Sequence, residues 1–253
     1  MRRLSVVAAV LIAAGIGIVD PYACVQYSQG AGAEREVPMK DRNALLRIAI
    51  RARNLVPAPG RRYVADPGSD EAKSEAKAAW DDRAGKWAAP GIARATRSFP
   101  PANPDAPDAP PEFEIRTFVN AEAGLPEALA SVFGEPRPFA VKGAVAVEIT
   151  TIGAEDESPS NAGAEGGRVI MPVTPESKAN AITLLRVLVA DPESERALRD
   201  LSQGKSVDRS ARRPVARVDR VESITVGLYG AKQDVERVAR RLPIARLRAL
   251  LSK

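Results

Sequence analysis

An uncharged apolar segment near the amino terminus sets the first limit on how this chain can fold. Residues 4–19 contain no charge, follow Arg2 and Arg3, and end before Asp20 and Pro21. A cationic start followed by an apolar run is typical of a secretory signal or a membrane anchor. As a helix the run rises about 24 Å, against a hydrocarbon core of roughly 30 Å. This short length favours a cleaved signal, and an uncleaved anchor is the alternative.

Two sites bear on the fate of this leader. The tripeptide at residues 31–33 has the small-x-small pattern of a cleavage site, although it lies well beyond the apolar run. Cys24 is a candidate for lipidation, although Pro21 stands where such a signal has an aliphatic residue. A further alternative is a buried or frayed apolar helix in a cytosolic protein. We predict that residues 1–33 are a signal peptide or membrane anchor and that the protein is exported to the periplasm or cell envelope.

The composition removes several kinds of chemistry. The chain has no histidine and a single cysteine, Cys24. Serine or cysteine nucleophiles activated by histidine, histidine metal sites and intramolecular disulfides are therefore excluded. Carboxylate, lysine, tyrosine or Ser-Lys chemistry remains open. We predict no metal site and no cofactor, and we favour a protein that is not an enzyme.

Residues 34–87 are predicted to form a helical arm. The first helix spans residues 41–54, capped by Asp41 and stopped by prolines, with its apolar stripe at Leu45, Ile48, Ala49 and Ala52. A second helix is predicted over residues 70–87, which are rich in Ala, Lys and Glu. Trp80 and Trp87 lie seven positions apart and so share a face of that helix. We expect them to dock on the main domain or on each other.

Residues 88–111 are predicted to be a linker. Proline lacks a backbone donor and stiffens the chain towards an extended form. The segment contains Pro90, Pro100, Pro101, Pro104, Pro107, Pro110 and Pro111. Such a linker would hold the following domain away from a membrane attachment.

Residues 112–253 are predicted to form an α+β domain. Alternating apolar residues predict strands, and apolar residues at helical spacing after capping residues predict helices. The predicted strands are 113–119, 139–152 with a bulge at Gly143, 168–173 and 221–228. The predicted helices are 122–133, 174–190, a short one from 191 to before 204, and 231–251 with a break at Pro243. This order favours a small mixed sheet with helices on one face, close to the split βαβ arrangement.

The carboxyl-terminal region is the candidate binding surface. Residues 205–253 carry 13 basic and 5 acidic side chains, whereas residues 61–165 carry 11 and 18. A basic region can contact nucleic acid, anionic lipid or an acidic partner, and it can also be a solvated helix face. The candidate binding residues are Arg209, Arg212, Arg213, Arg217, Arg220, Lys232, Arg237, Arg240 and Arg241.

A second candidate is an anion-binding turn between the last strand and the last helix. Gly227 and Gly230 are followed by Lys232, and backbone donors at a helix start can hold an anion. The spacing is not that of a P-loop, and a tight turn with no ligand is the simpler interpretation. The acidic loop at residues 153–167 lacks the ligand order of a calcium site.

Two functional hypotheses follow. The first is an exported, envelope-tethered, non-catalytic protein that binds another macromolecule through its basic region or an exposed sheet edge. Its partner is expected to be an envelope protein or the membrane surface. The second is a cytosolic nucleic-acid-binding protein that uses the basic carboxyl-terminal region. An enzyme that uses carboxylates or lysine is a third alternative.

Overall fold

The fold is described here from a computed structural model, which covers residues 33–121, 137–150, 182–190, 195–196 and 214–252. The helices are α1 (Met39–Leu55), α2 (Lys232–Arg240) and α3 (Ile244–Arg248). The strands are β1 (Ala33–Glu36), β2 (Glu71–Ser74), β3 (Lys77–Asp81), β4 (Lys86–Trp87), β5 (Ala93–Phe99), β6 (Phe113–Val119), β7 (Arg137–Phe139), β8 (Val145–Thr150), β9 (Thr183–Ala190) and β10 (Ser223–Gly230).

The strands form two sheets. The main sheet has seven strands in the order β2-β5-β6-β10-β9-β8-β7, and a small sheet has the order β1-β3-β4. All of the pairs formed by these described strands are antiparallel. Helices and sheets together confirm the predicted α+β class.

The three helices cover one face of the main sheet. Leu45, Ala49 and Ala52 of α1 lie in one buried cluster with Ile224 and Val226 of β10. The same cluster includes apolar residues of α2 and of α3. A fully buried Leu, Val or Ile side chain contributes about 1.5–3 kcal/mol, so this face is the main source of stability.

The opposite face of the main sheet carries polar residues that are also buried. Arg116 of β6 donates two hydrogen bonds to Glu114, at 2.7 and 2.8 Å. Its guanidinium lies 4.5 Å from the ring centroid of Tyr229. A Cβ on Gly227 would lie 3.1 Å from the Tyr229 ring, so the glycine leaves room for that ring.

The helix predicted over residues 70–87 is wrong. This segment contains β2, β3 and β4 instead. Its Ala, Lys and Glu residues favour a helix by only tenths of a kcal/mol each. Pairing of β2 with β5 and of β3 with β1 outweighs that preference.

The predicted linker is wrong for residues 93–99. Between Pro90 and Pro100 the chain forms β5, which lies inside the main sheet between β2 and β6. Ala93, Ala95 and Phe99 of this strand are buried. Residue 112 is therefore not a boundary of the sheet, because β2 and β5 precede it.

Two predicted elements after residue 137 are also wrong. The single strand over residues 139–152 is a hairpin of β7 and β8, and Gly143, with a φ of +81°, lies in its turn and not in a bulge. The helix predicted up to residue 190 is, from Thr183, the strand β9. Every residue of β9 is buried, and six of its eight residues are apolar, so the alternation of apolar and polar residues that marks a half-exposed strand is lost.

Other predictions are confirmed. The strand over residues 113–119 is β6, the strand near 221–228 is β10, and the last helix breaks at Pro243 into α2 and α3. The first helix is α1, although it begins at Met39 after Pro38, and Asp41 lies in its first turn and does not cap it. The elements predicted over residues 122–133, 153–167, 168–173 and 174–181 lie outside the described residues, as does nearly all of the helix predicted after residue 191.

Candidate binding groove at the edge of the main sheet

Helix α1 presents two different stripes of side chains. Because an α-helix has 3.6 residues per turn, positions spaced by three and four lie on one side. One stripe packs on the main sheet through Leu45, Ala49 and Ala52. The second stripe has the spacing i, i+3, i+4 and i+7 and lines a groove beside β2. This outer stripe consists of Met39, Arg42, Asn43 and Leu46.

Strand β2 lies at the edge of the main sheet and, among the described strands, pairs only with β5. The amide of Glu75 donates to the carbonyl of Ile92 at 2.9 Å, which extends this ladder beyond β2. Bonded and non-bonded positions alternate along an antiparallel ladder, so Lys73 also bonds to β5. The backbone amides and carbonyls of Ala72 and Ser74 therefore point away from the sheet.

The groove between the outer stripe and β2 has a volume of about 360 Å³. Ala72 and Ser74 pair with Ala95 and Ala93 of β5, whose side chains are buried on the helix side of the sheet. Side chains at 72 and 74 therefore project towards α1. The groove is completed on the strand side by Ala72, Lys73, Ser74, Glu75 and Ala76.

Arg42 is the cation of the outer stripe. Its Nε is shielded from solvent and has no hydrogen-bond partner among the described residues. A shielded donor without an acceptor costs about 1–3 kcal/mol. Met39 in the same stripe is 62% exposed and offers apolar surface to a partner. The groove thus combines an unused donor with an exposed apolar contact.

The other end of α1 has an arginine whose acceptors are present. Arg53 is buried, its Nη2 lies 2.9 Å from Asp70 Oδ2, and its Nη1 donates to the carbonyl of Thr96 at 2.8 Å. Its Nε has no hydrogen-bond partner among the described residues. Asp70 also accepts two hydrogen bonds from Arg97, at 2.7 and 2.6 Å. This cluster joins the end of α1 to the start of β2.

The charges of this cluster shift one another's pKa. Hydrogen bonds from Arg97 are the main reason that the pKa of Asp70 lies below its usual value. The same bonds raise the pKa of Arg97. Burial lowers the pKa of Arg53, and the nearby charge of Arg97 adds to that effect. Asp70 is therefore held as a carboxylate between two guanidinium groups.

A second buried cluster connects the segment after α1 to α2. The hydroxyl of Tyr63 donates to Asp234 Oδ2 at 2.6 Å. Arg237 pairs with the same carboxylate and donates to the carbonyl of Pro59 at 2.6 Å. Burial and the contact with Asp234 raise the pKa of Tyr63 well above its usual value. These bonds satisfy the buried polar groups, so we assign this cluster a structural role.

The two tryptophans contact each other, as one of the two expectations had it. Trp80 of β3 pairs with Trp87 of β4, and their ring centroids lie 5.2 Å apart in an edge-to-face arrangement. The guanidinium of Arg35 lies 3.9 Å from the Trp80 ring centroid. The backbone of Trp87 also bonds in both directions to Val215. A hairpin, and not one face of a helix, brings the two rings together.

The predicted basic surface is balanced by acidic residues where the structure describes it. Four of its arginines each form an ion pair with an acidic residue two to four positions away in sequence. The pairs are Arg217 with Asp219, Arg220 with Glu222, Arg237 with Asp234 and Arg240 with Glu236. Arg241 is exposed, and Lys232 is the first residue of α2. Arg209, Arg212 and Arg213 lie outside the described residues.

The predicted turn at Gly227 is not a turn. Gly227 lies inside β10, opposite Arg116 and Arg186, and the strand continues to Gly230. Gly230 has a φ of +152°, and a Cβ there would lie 2.7 Å from the Phe113 ring. The close approach of Phe113 therefore accounts for the glycine at position 230. The lipidation candidate Cys24 lies outside the described residues.

No group of three or more acidic or cysteine side chains in the described ranges is placed to hold a metal ion. Among the helices described, none has the length and apolar character needed to cross a membrane. Sequence reasoning missed the groove. The one available signal was the spacing of Met39, Arg42, Asn43 and Leu46, which places them on one side of the predicted helix.

The fold and groove define an α+β protein in which β2 is an edge strand among the strands described. No protein-family model, curated protein or solved structure matches this chain.

Proposed function

We propose that this chain is an exported, envelope-tethered, non-catalytic protein that binds an extended segment of another protein along the edge of β2. The observation that carries the proposal is the outward backbone of Ala72, an exposed residue, beside a groove that no described residue fills. Extended peptides commonly bind by adding a strand to such an edge, where backbone bonds supply affinity and adjacent pockets supply specificity. Export rests on the apolar run at residues 4–19.

The basic carboxyl-terminal region supports this proposal less well. Its described arginines are largely neutralised by adjacent acidic residues. Exposed ion pairs of this kind leave little net field for a polyanion. The β2 edge, in contrast, offers backbone donors and acceptors together with a groove.

A proline substitution tests the proposed edge. The amide of Ala72 points away from β5, so A72P removes a donor to an added strand and leaves the ladder with β5 intact. The control A72V keeps that amide. The probe is a random linear dodecapeptide library displayed on phage and panned on the full chain, followed by titration of the best synthetic peptide. We expect A72P to weaken binding at least about tenfold and A72V to weaken it less than about threefold.

Equal binding by the A72P variant and the wild-type chain would reject the β2 edge as the binding site. Failure of the library to yield any peptide would also count against the proposal. Export is tested separately, by fractionating the source cells and determining the first residue of the recovered protein. Intact chain in the cytosol, still beginning at Met1, would contradict it.

A further inference from the structure

Arg42 is placed to receive a group that the described part of the protein does not supply. Arg42 lines the groove and is partly exposed, and its guanidinium has no hydrogen-bond or ion-pair partner among the described residues. A carboxylate can accept from two nitrogens of one guanidinium at the same time, and those nearest a partner are the terminal nitrogens of Arg42. Such a charge-assisted pair is stronger than a bond to a neutral acceptor. The site therefore favours an acidic side chain over an amide.

A strand added to β2 would deliver side chains to this position. Residues directly opposite one another in a sheet project to the same face. Residues of the added strand opposite Ala72 and Ser74 would therefore project towards α1, as those two do. Because strand side chains alternate, these two residues of the partner are separated by one. Both would reach the outer stripe.

The outer stripe offers two kinds of contact. Met39 and Leu46 provide apolar surface, and Arg42 provides the charge. The side chains of Lys73 and Glu75 alternate with those of Ala72 and Ser74, so they project to the opposite face of the sheet and add no charge beside Arg42. One apolar and one acidic side chain, two positions apart, would satisfy both kinds of contact.

Building on the proposed function, we infer that the bound segment is an extended polypeptide with an Asp or Glu two residues from an apolar side chain, and that the carboxylate pairs with Arg42. The apolar side chain contacts Met39 or Leu46. Arg42 is then a specificity residue, while the backbone of β2 supplies most of the affinity.

The test compares matched peptides on matched variants. Peptides from the dodecapeptide selection are sequenced. Their sequences are searched for an acidic residue two positions from an apolar residue. The best peptide and its Asp→Asn or Glu→Gln counterpart are then titrated against the full chain, R42M and R47M. Arg47 is exposed on the same helix and does not line the groove, so R47M controls for loss of charge alone.

We expect the amide peptide to bind wild type and R47M about tenfold or more weakly than the acidic peptide, and R42M to bind both within about twofold. R42M should unfold at the same urea concentration as wild type or a higher one, which shows that lost binding is not lost folding.

Three results would overturn the inference. If A72P abolishes binding while the amide exchange changes nothing, the edge binds peptide and the carboxylate inference is wrong. If A72P leaves binding unchanged or no peptide is selected, the proposed function fails, and this inference fails with it. If sedimentation shows a dimer that A72P dissociates, the occupant of the edge is a second copy of the chain.

Discussion

The arginines at the two ends of α1 differ in whether the described part of the chain supplies partners for their guanidinium groups. At the carboxyl end, Arg53 is buried, and its terminal nitrogens contact Asp70 and the carbonyl of Thr96. At the amino end, Arg42 lines the groove, and its guanidinium forms no hydrogen bond or ion pair with any described residue. An acceptor within the chain makes the first arginine part of the fold. No residue in the described ranges supplies an acceptor to Arg42, which leaves the second arginine available to a partner.

The largest difference in the free energy of unfolding is expected between alanine variants of Leu45 and Leu46, which lie on the two stripes of α1. Leu45 is fully buried, so L45A should destabilise the protein by about 2–5 kcal/mol through lost contacts and the cavity it leaves. Leu46 lines the groove and is only partly buried, so L46A should cost less than about 1 kcal/mol. Urea unfolding of both variants measures the difference. Equal losses would show that the outer stripe is also part of the core.

The second largest difference in the free energy of unfolding is expected between variants of the two arginines. R53M leaves Asp70 without one of its two cations and the Thr96 carbonyl without its side-chain donor, so it should cost about 1–3 kcal/mol. R42M should change the free energy of unfolding by less than about 0.5 kcal/mol, or increase it, because it removes an unsatisfied donor. Chemical denaturation of both variants is the measurement. A large loss in R42M would mean that Arg42 has a structural role.

Acid should weaken the carboxyl end of α1 selectively. The pKa of Asp70 is lower in the folded chain than its reference value of 3.8, because the folded state stabilises the charged form. That stabilisation is complete above the reference pKa and is lost as pH falls through the folded pKa. The difference in unfolding free energy between wild type and D70N should therefore shrink below about pH 4. A difference that stays constant down to about pH 2 would contradict the assigned role of Asp70.

The smallest effect is expected in the carboxyl-terminal region. R240Q removes an exposed pair with Glu236 that spans one helical turn. Such pairs contribute about 0.3–0.5 kcal/mol. The free energy of unfolding and the affinity for the selected peptide should both stay within about 0.5 kcal/mol of wild type. A tenfold loss of peptide affinity would indicate that the peptide binds at α2 and not at β2.

Parts of the fold could be predicted because local patterns and tertiary contacts agree there. The apolar spacing of Leu45, Ala49 and Ala52 and the prolines after residue 55 define α1. Regular alternation defines β10, and Pro243 separates α2 from α3. In each case one continuous segment carries the whole signal.

Other parts could not be predicted because their structure depends on distant pairing. The Ala- and Lys-rich segment of β2 becomes a strand only against β5, about twenty residues away. The apolar run of β9 fits a buried helix and a buried strand equally well. The groove needs α1, β2 and the turn after it in one place. Only the helical spacing of its outer stripe was visible in the sequence.

Amide hydrogen exchange in β2 tests the central claim most directly. In the free full chain the amide of Ala72 points outward and should exchange fast, whereas the amide of Lys73 is bonded to β5 and should exchange slowly. The selected peptide should slow exchange at Ala72 and leave Lys73 unchanged. Slow exchange at Ala72 without peptide, or no slowing with it, would show that this edge is not the open binding site described here.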